Sequence, residues 1–472
     1  MATLSAVVMA AGEGTRMRSS TPKVLHAVCG RPLVGHVLAA LADTGATRTV
    51  VVVGAGADAV QATLAPSHPT VVFALQPERR GTGDAAAIGL AALGRAAGPE
   101  RPAGDVLVLP GDTPLLTGAT LTALVEHHRA TAAAATILTA ALDDPTGYGR
   151  VVREADGAVA RIVEHRDATE AERAVTEVNS SVYCFRLDLL AAALEGLTPD
   201  NDQGEHYLTD VVASLVAGGH RVEALVAADA AEISGVNDRG QLADVAALLR
   251  TRTNAAWMRA GVTMVDPART YVDVTVELAP DVRLLPGVIL EGTTRVARGC
   301  EVGPDSRLVD ATLEEGASVT YAVVRSAVVG PGATVGPYAS LRAGTVLHDG
   351  AKAGTFVETK NAELMPGAKV PHLAYVGDAR IGEGANLGAG TITANYDGTN
   401  KHRTDVGAHV HTGSNTVLVA PVVLGDHVTT GAGAVVVRDV AAGATVVGVP
   451  ARALPTKPVS DPAQPPEQSA DP

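Results

Sequence analysis

Val329, Val335, Leu341 and Leu347 recur every six residues, the phase returns at Ile381 and Leu387, and it returns again at Val406, Thr412, Leu418 and Leu424. Each aliphatic is commonly followed by glycine and, three residues later, by a small residue. A hexad is one flat face of a triangular prism, and three hexads make one coil of a parallel β-helix. Small residues at the corners let the chain turn without steric cost. Ile289, Val296 and Val302 extend a looser version of the pattern, so the prism is expected over about residues 263–450. Aromatic residues make up only 3% of the chain while Gly, Ala and Val abound, which suits a narrow, regular core. Between the hexad ending at Ile392 and the one starting at Val406 lies the stretch Thr393 to Asp405, which breaks the phase by one. A stacked coil can only eject such a segment as a loop, either functional or a plain variation in length.

Up to about residue 240 the chain follows another pattern. Short apolar runs at 50–53, 71–74 and 106–109 read as buried strands, separated by Ala- and Leu-rich stretches of helical length. These alternations predict a doubly wound, Rossmann-like α/β domain. Asp238 to Arg259 has no proline, one glycine and helix-spaced Leu242, Val245, Leu248 and Leu249, which predicts a long connecting helix. The expected organisation is an α/β domain over 1–237, a linker helix over 238–261, a β-helix over 262–454, and a tail over 455–472 too poor in apolar side chains to order itself.

Directly after the apolar run Ala6-Val7-Val8 comes Met9-Ala10-Ala11-Gly12-Glu13-Gly14-Thr15-Arg16-Met17, and then Pro22-Lys23. The glycines open a turn at the carboxyl end of a buried strand, where nucleotides bind open α/β sheets. Gly12 and Gly14 let backbone N–H groups approach phosphate oxygens, while Arg16 and Lys23 bracket a polyphosphate with positive charge. A lone glycine turn can also merely join strand to helix. This one lacks the Gly-Lys-Ser/Thr of a P-loop and the third glycine of a dinucleotide fingerprint. Asp112, in Pro110-Gly111-Asp112, ends another strand on the same sheet edge, where a carboxylate can hold Mg²⁺ or simply form a turn. Gln76, Gly81 and Thr82 form a further polar loop able to read a base edge, although such residues are also common in turns.

In the second half, Arg342 and Lys360 are three hexads apart, so hexad stacking sets them over one another, and two stacked cations ask for an anion such as a sugar phosphate. Solvated surface charge is the alternative. His372, in Pro371-His372-Leu373-Ala374-Tyr375, is able to take a proton near neutral pH.

A net charge of −14 argues against nucleic acid or an anionic membrane as principal partner. The three cysteines, Cys29, Cys184 and Cys300, are far apart, which disfavours a disulfide framework or zinc site and fits a reducing cytoplasm. No stretch reads as a signal peptide or membrane span, so a soluble protein is expected.

The glycine loop resembles the signature loop of sugar-nucleotide pyrophosphorylases, and the hexads resemble the left-handed β-helix of hexapeptide acyltransferases. Together, over nearly the whole chain except the tail, they resemble the bacterial family of bifunctional N-acetylglucosamine-1-phosphate uridyltransferases/glucosamine-1-phosphate acetyltransferases. The resemblance implies that Met9, Ala10, Ala11, Gly12, Lys23, Gln76, Gly81 and Thr82 bind UTP or UDP-N-acetylglucosamine, with Arg16 and Lys23 acting on the phosphates. It implies Mg²⁺ on Asp112 and Asn237, and a sugar lined by Gly149, Glu164 and Asn179, with Asn237 also at the nucleotide. In the second domain it implies His372 as the base, Arg342, Lys360, Tyr375 and Asn386 on glucosamine 1-phosphate, and Asn395, Tyr396, Lys401, Ser414 and Ala432 on acetyl-CoA. UTP and acetyl-CoA are then co-substrates, and the β-helix implies a homotrimer with sites between prisms, which the loop carrying Lys401 helps complete.

Two positions depart from the family pattern. Asn179-Ser180-Ser181 stands where a glycine usually follows the Asn-Ser or Asn-Thr pair, and Val449 occupies the position of an arginine that some relatives set against the coenzyme. Two other readings remain open. One is a nucleotidyltransferase whose β-helix is only a scaffold. The other is a metal-dependent hydratase using His372, His402, His409 and His411.

Overall fold

A computed structural model describes residues 3–96, 104–199, 201 and 203–454. The tail expected over 455–472 lies outside the described residues. The chain divides into two compact units, Met1–Leu249 and Arg250–Pro472, and the division falls inside one helix, Arg239–Arg259. Among the described residues no helix is long and apolar enough to cross a membrane.

The first unit is built on a sheet whose strands are β1 (Leu4–Ala10), β2 (Arg48–Val53), β3 (Val72–Leu75), β4 (Asp105–Pro110), β5 (Ala135–Ala141), β6 (Glu177–Arg186) and β7 (Val222–Val226). Their spatial order is β7-β5-β6-β4-β1-β2-β3. Strand β1 runs parallel to β2 and to β4, with Val7 opposite both Val50 and Val108. These central positions are fully buried because helices cover both faces, which explains their unbroken Val and Leu runs.

One element departs from the simple doubly wound expectation. β6 is antiparallel to both neighbours, β4 and β5, so the sheet is mixed. A strand buried on both faces looks the same in sequence whichever way it runs. The register of β6 against β5 shifts between Asn179 and Tyr183, a bulge in which Ser181 takes φ +61°.

The second unit is a parallel β-helix, consistent with the left-handed type that the family resemblance implies. Short strands pair with their equivalents one coil later: Tyr271 with Ile289, Ile289 with Arg307, Arg307 with Val323 and Val323 with Ser340. The coil length is therefore not constant: Ile289 to Arg307 spans three full hexads, whereas Arg307 to Val323 and Val323 to Ser340 fall short of that. Leu341, Leu347, Leu364, Val370, Val376, Ile381 and Leu387 point inward and are completely buried. Each such side chain contributes about 2 kcal/mol by leaving water.

At the interruption the reading of the phase needs correction. Ile392 is not the inward residue: its side chain is 42% exposed, whereas Thr393 is fully buried. The Thr393 hydroxyl accepts from Gly377 N at 2.8 Å and donates to Gly377 O at 3.0 Å, which makes a polar residue tolerable in the core. The coil then runs well past three hexads before it returns, pairing Ala379 with Thr404 and Ile392 with Val417. The surplus leaves as a loop between the strands Ile392–Ala394 and Thr404–Val406.

Candidate active sites

In the first unit the loop after β1 bends over the carboxyl ends of β1 and β4. Gly14 has φ +63°, and a Cβ there would lie 2.5 Å from Cβ of Lys23. Glycine is required so that the Lys23 side chain can pass. Gly12, by contrast, has nothing within 4 Å of the place a Cβ would take, so its bare backbone faces open space. Lys23 Nζ contacts the Asp112 carboxylate and lies 3.3 Å from Asn237 Oδ1. Three residues from distant parts of the chain thus meet at one point, and both members of the Lys23–Asp112 pair are largely buried.

A cavity of about 360 Å³ opens over them, lined by Met9, Ala10, Ala11, Gly12, Lys23, Gln76, Gly81, Thr82 and Asp112 among others. Of the residues expected at the base and phosphates of the nucleotide, all but Asn237 and Arg16 are present. Asn237 lines an adjoining cavity of about 310 Å³ together with Arg16, Asp112, Tyr148, Asn179 and Ser181. Arg16 is exposed and does not line the first cavity; it borders the second and a third of about 480 Å³ that holds Glu164, His165 and Arg166. Asp112 and Ser181 line both of the first two cavities and so sit at their boundary.

Several polar groups are already engaged. The Gln76 amide nitrogen donates to Asp84 at 2.7 Å and to Gly81 O at 3.3 Å, leaving its oxygen as the free recognition atom. The Thr82 hydroxyl accepts from Leu208 N at 3.0 Å, which leaves its O–H able to donate at the cavity it lines. Asn179 Nδ2 donates to the Tyr183 hydroxyl at 2.7 Å and its oxygen accepts from Ser181 N at 3.1 Å. A Cβ on Gly149 would press on Ile162 Cγ2 at 3.2 Å and meet Glu164 Oε2 at 3.5 Å and Asn179 Cβ at 3.6 Å in ordinary contact, so Gly149 stands against the two polar residues expected at the sugar. Burial pushes the Glu164 carboxyl above its ordinary value, against a hydrogen bond from Thr209 at 3.2 Å.

Sequence reasoning missed Tyr148. Burial and then the charge of Asp112 raise its phenol above the ordinary value, against a hydrogen bond with the Gly235 backbone. Its only sequence signal was its place in Thr146-Gly147-Tyr148-Gly149. Gln241, which accepts from Asn237 N at 2.8 Å, carried no signal because it lies on the helix expected to be a linker.

The metal expectation can be weighed on the donor set. Asp112 and Asn237 present two hard oxygens to one point, which the Lys23 ammonium now satisfies. A carboxylate and an amide carbonyl beside phosphate oxygens suit Mg²⁺.

In the second unit, Arg342 and Lys360 follow directly on the paired residues Leu341 and Thr359, as the stacking predicts. Arg342 Nη1 donates to Glu358 Oε1 at 3.0 Å in an exposed ion pair. The next coil is one residue shorter, so Lys360 pairs with Gly377. A Cβ on Gly377 would lie 2.4 Å from the Tyr375 hydroxyl and 2.8 Å from Asn395 Nδ2, so that glycine leaves room for both groups.

The loop between Ile392–Ala394 and Thr404–Val406 is a small hairpin in which Tyr396 bridges Lys401. Asp397 organises it, accepting from Asn400 N at 2.7 Å, Thr399 N at 2.8 Å and His402 Nε2 at 2.6 Å, and these bonds hold its carboxyl far below the usual range. The Lys401 amine is lowered from its ordinary value by the Lys360 amine beside it.

His372 is exposed at the end of the strand Lys369–His372, opposite Thr355. Asn386 lies on the same face of the prism, bridging Lys369 and His411, whereas Arg342, Lys360 and Tyr375 belong to another. Ser414 and Ala432 are exposed on successive coils, where Gly433 N donates to Ser414 O at 2.8 Å, and Val449 is exposed near the prism's end. The predicted acetyl-transfer residues are thus spread over two faces of one prism. The four histidines of the hydratase reading do not gather: His402 is held by Asp397, His409 stacks on His427 with ring centroids 5.2 Å apart, and no metal-binding group of three or more His, Cys, Asp or Glu exists among the described residues.

Comparison with known proteins agrees with this geometry. The nucleotidyl transferase family model matches residues 5–261. A protein from Streptomyces coelicolor named Bifunctional protein GlmU is 52% identical over 93% of this chain and 91% of its own length. One of the same name from Kineococcus radiotolerans is 54% identical over 94% of this chain and 89% of its own. By these likenesses, which span both the glycine-loop domain and the hexad prism, the chain belongs to the nucleotidyl transferases and, within them, to the bifunctional GlmU proteins.

Proposed function

We propose that this chain acetylates glucosamine 1-phosphate with acetyl-CoA and then transfers UMP from UTP to the N-acetylglucosamine 1-phosphate formed, releasing pyrophosphate and UDP-N-acetylglucosamine. The observation that carries the reading is the convergence of Lys23, Asp112 and Asn237 beneath the glycine loop, in a chain that continues into a hexad prism bearing Lys360, His372 and Lys401.

In the first reaction the sugar amine attacks the thioester carbonyl carbon. The C–N bond forms, the C–S bond breaks, CoA leaves as the thiolate, and His372 takes the amine proton. Arg342, Lys360, Tyr375 and Asn386 hold the sugar phosphate, for which Arg342 exchanges its Glu358 partner. Asn395, Tyr396, Lys401, Ser414 and Ala432 hold the coenzyme. Because these groups occupy two faces of one prism, a homotrimer is the assembly in which faces of neighbouring copies complete one another, and the Asp397-anchored loop carries Lys401 outward.

In the second reaction a phosphate oxygen of the sugar 1-phosphate attacks the α-phosphorus of UTP in line, and the bond to the bridging oxygen of the leaving pyrophosphate breaks. Arg16 and Lys23 neutralise charge that builds on the phosphates, and the Gly12 backbone approaches them closely. Gln76, Gly81 and Thr82 meet the base, while Gly149, Glu164 and Asn179 line the sugar. Asp112 and Asn237 would hold Mg²⁺, which would supply positive charge to offset that developing on the phosphates. The setting we propose is the cytoplasm, with small molecules rather than nucleic acid or membrane as partners.

The test is to incubate the protein with Mg²⁺, UTP, acetyl-CoA and glucosamine 1-phosphate while following CoA thiol and pyrophosphate in parallel. Release of both, with pyrophosphate depending on prior acetylation, is the expected result. Pyrophosphate from N-acetylglucosamine 1-phosphate without any CoA release means that the β-helix is a scaffold. The ion pair between Arg342 and Glu358 is the one observation that favours this second reading.

A further inference from the structure

The corner of the prism at residues 361, 378 and 395 carries a column of polar side chains from three successive coils. Asn361 Nδ2 donates to Asp378 Oδ1 at 2.8 Å, and Asn395 Nδ2 donates to Asp378 Oδ2 at 2.5 Å. Asp378 stands in the middle, so each carboxylate oxygen holds one amide and ties the coil below to the coil above. Asn361 and Asp378 both adopt the left-handed backbone, with φ +45° and +47°, which turns their side chains together at the corner.

Asp378 also faces two amines. Burial alone would lift its carboxyl, but the two amide hydrogen bonds and the charges of Lys360 and Lys401 bring it below the ordinary value. Lys360 and Lys401 crowd one another, and Asp378 and Tyr375 are the groups that work against that repulsion at Lys401. Immediately beside this carboxylate, the side-chain-free Gly377 lets the Tyr375 hydroxyl and the Asn395 amide approach. Lys360, Asn395 and Lys401 thus face a carboxylate that no functional reading above uses.

We infer that Asp378 is the positioning residue of the acetyl-transfer site: it fixes Asn395 by a charge-assisted hydrogen bond and lets Lys360 and Lys401 stand side by side as a receptor for an anionic phosphate. The inference rests on the acetyl-transfer reading above. Two ammonium groups without a carboxylate beneath them would part or lose a proton. With one carboxylate they keep a net positive charge that a phosphate ester can answer. Asn395, with one amide hydrogen committed to Asp378, presents its oxygen and second hydrogen in a fixed direction.

The test compares wild type with Asp378→Asn and Asp378→Glu. Asparagine keeps the shape but removes the charge and one acceptor; glutamate restores the charge on a longer stem. With acetyl-CoA and glucosamine 1-phosphate, Asp378→Asn is expected to raise KM for the phosphorylated sugar or the coenzyme by about tenfold, the loss that goes with a hydrogen bond to a charged group. It should leave kcat within about threefold, and Asp378→Glu should recover part of the loss. Pyrophosphate release from UTP and N-acetylglucosamine 1-phosphate serves as a folding control on the first unit. Titration of lysine side chains labelled with ¹³C at Cε supplies a readout independent of turnover: the Lys401 amine should fall further in Asp378→Asn. An unchanged KM together with an unchanged Lys401 titration overturns the inference, as does a fall in kcat alone that tracks a loss of thermal stability. A wild type that transfers no acetyl group while its Lys401 still responds to Asp378→Asn overturns the acetyl-transfer reading instead, and leaves the role of Asp378 at this pair of amines standing.

Discussion

The ammonium of Lys23 lies against the carboxylate of Asp112, 89 positions further along the chain, and the two are largely withdrawn from solvent at the boundary of two cavities. An ion pair so placed does little for stability, because removing two charges from water costs nearly as much as their attraction returns. Its value is electrostatic: a cation and a carboxylate are held ready where a polyphosphate would lie. Asp112→Ala is therefore expected to reduce pyrophosphate release by at least about a hundredfold, with acetyl transfer in the other unit unaffected. His372→Ala should do the reverse, cutting acetyl transfer by about 10²–10⁴-fold. Loss of both activities in either variant would show that the two sites are not independent, and normal acetylation by His372→Ala would remove that residue as the base.

Ser181 holds φ +61° inside the bulge of β6, a conformation that disfavours any residue with a Cβ. Ser181→Gly relieves that cost but adds freedom to the unfolded chain, for a net gain of about 0.5–1 kcal/mol. Urea denaturation followed by circular dichroism measures it. A lower midpoint for the glycine variant would show that the serine side chain contributes more than its backbone costs.

Glu164 has a folded-state pKa raised by burial above its ordinary value of 4.5. The sign follows from linkage: the stabilising contribution is fully present below the unfolded value and is lost as pH rises through the higher folded one. At neutral pH the buried carboxylate is a burden. Glu164→Gln should match wild-type stability near pH 4 and exceed it at pH 7 and above; denaturant midpoints at the two pH values decide, and equal differences at both would mean the carboxyl is not perturbed.

Thr393→Val puts a more apolar side chain of nearly the same volume into a fully buried position, yet it is expected to destabilise the β-helix by about 1–3 kcal/mol. The hydroxyl that accepts from Gly377 N would be gone. Thermal unfolding compared with wild type measures the effect, and a more stable variant would show that this hydrogen bond is dispensable.

Much of this architecture is written in local patterns. The strands around Val50, Phe73 and Leu107 and the inward aliphatics from Val329 to Leu387 were legible because burial imposes a simple period on them. The direction of β6 was not, since a strand covered on both faces has the same composition either way. Nor was the phase at Ile392 and Thr393: an aliphatic reads as inward, and only the position of Gly377 one coil away makes threonine the better choice. Lys23, Asp112 and Asn237 could be picked out singly, each on its own motif, but their meeting depends on Gly14 giving passage to the lysine. Asp378 carried no signal at all. Its partners, Asn361 and Asn395, stand 17 residues to either side, a spacing hidden from any reading that assumes coils of three full hexads.

The long coil between Ala379 and Thr404 has a consequence for how such a protein can change over evolutionary time. The strand that follows the expelled hairpin still pairs with the coil before it and the coil after it, Thr404 with Ala379 and with Val422. An alteration within the hairpin is thus invisible to the register of every other coil. The prism separates inheritance of shape from inheritance of surface: its hexads can stay fixed while one short excursion is lengthened, shortened or rewritten.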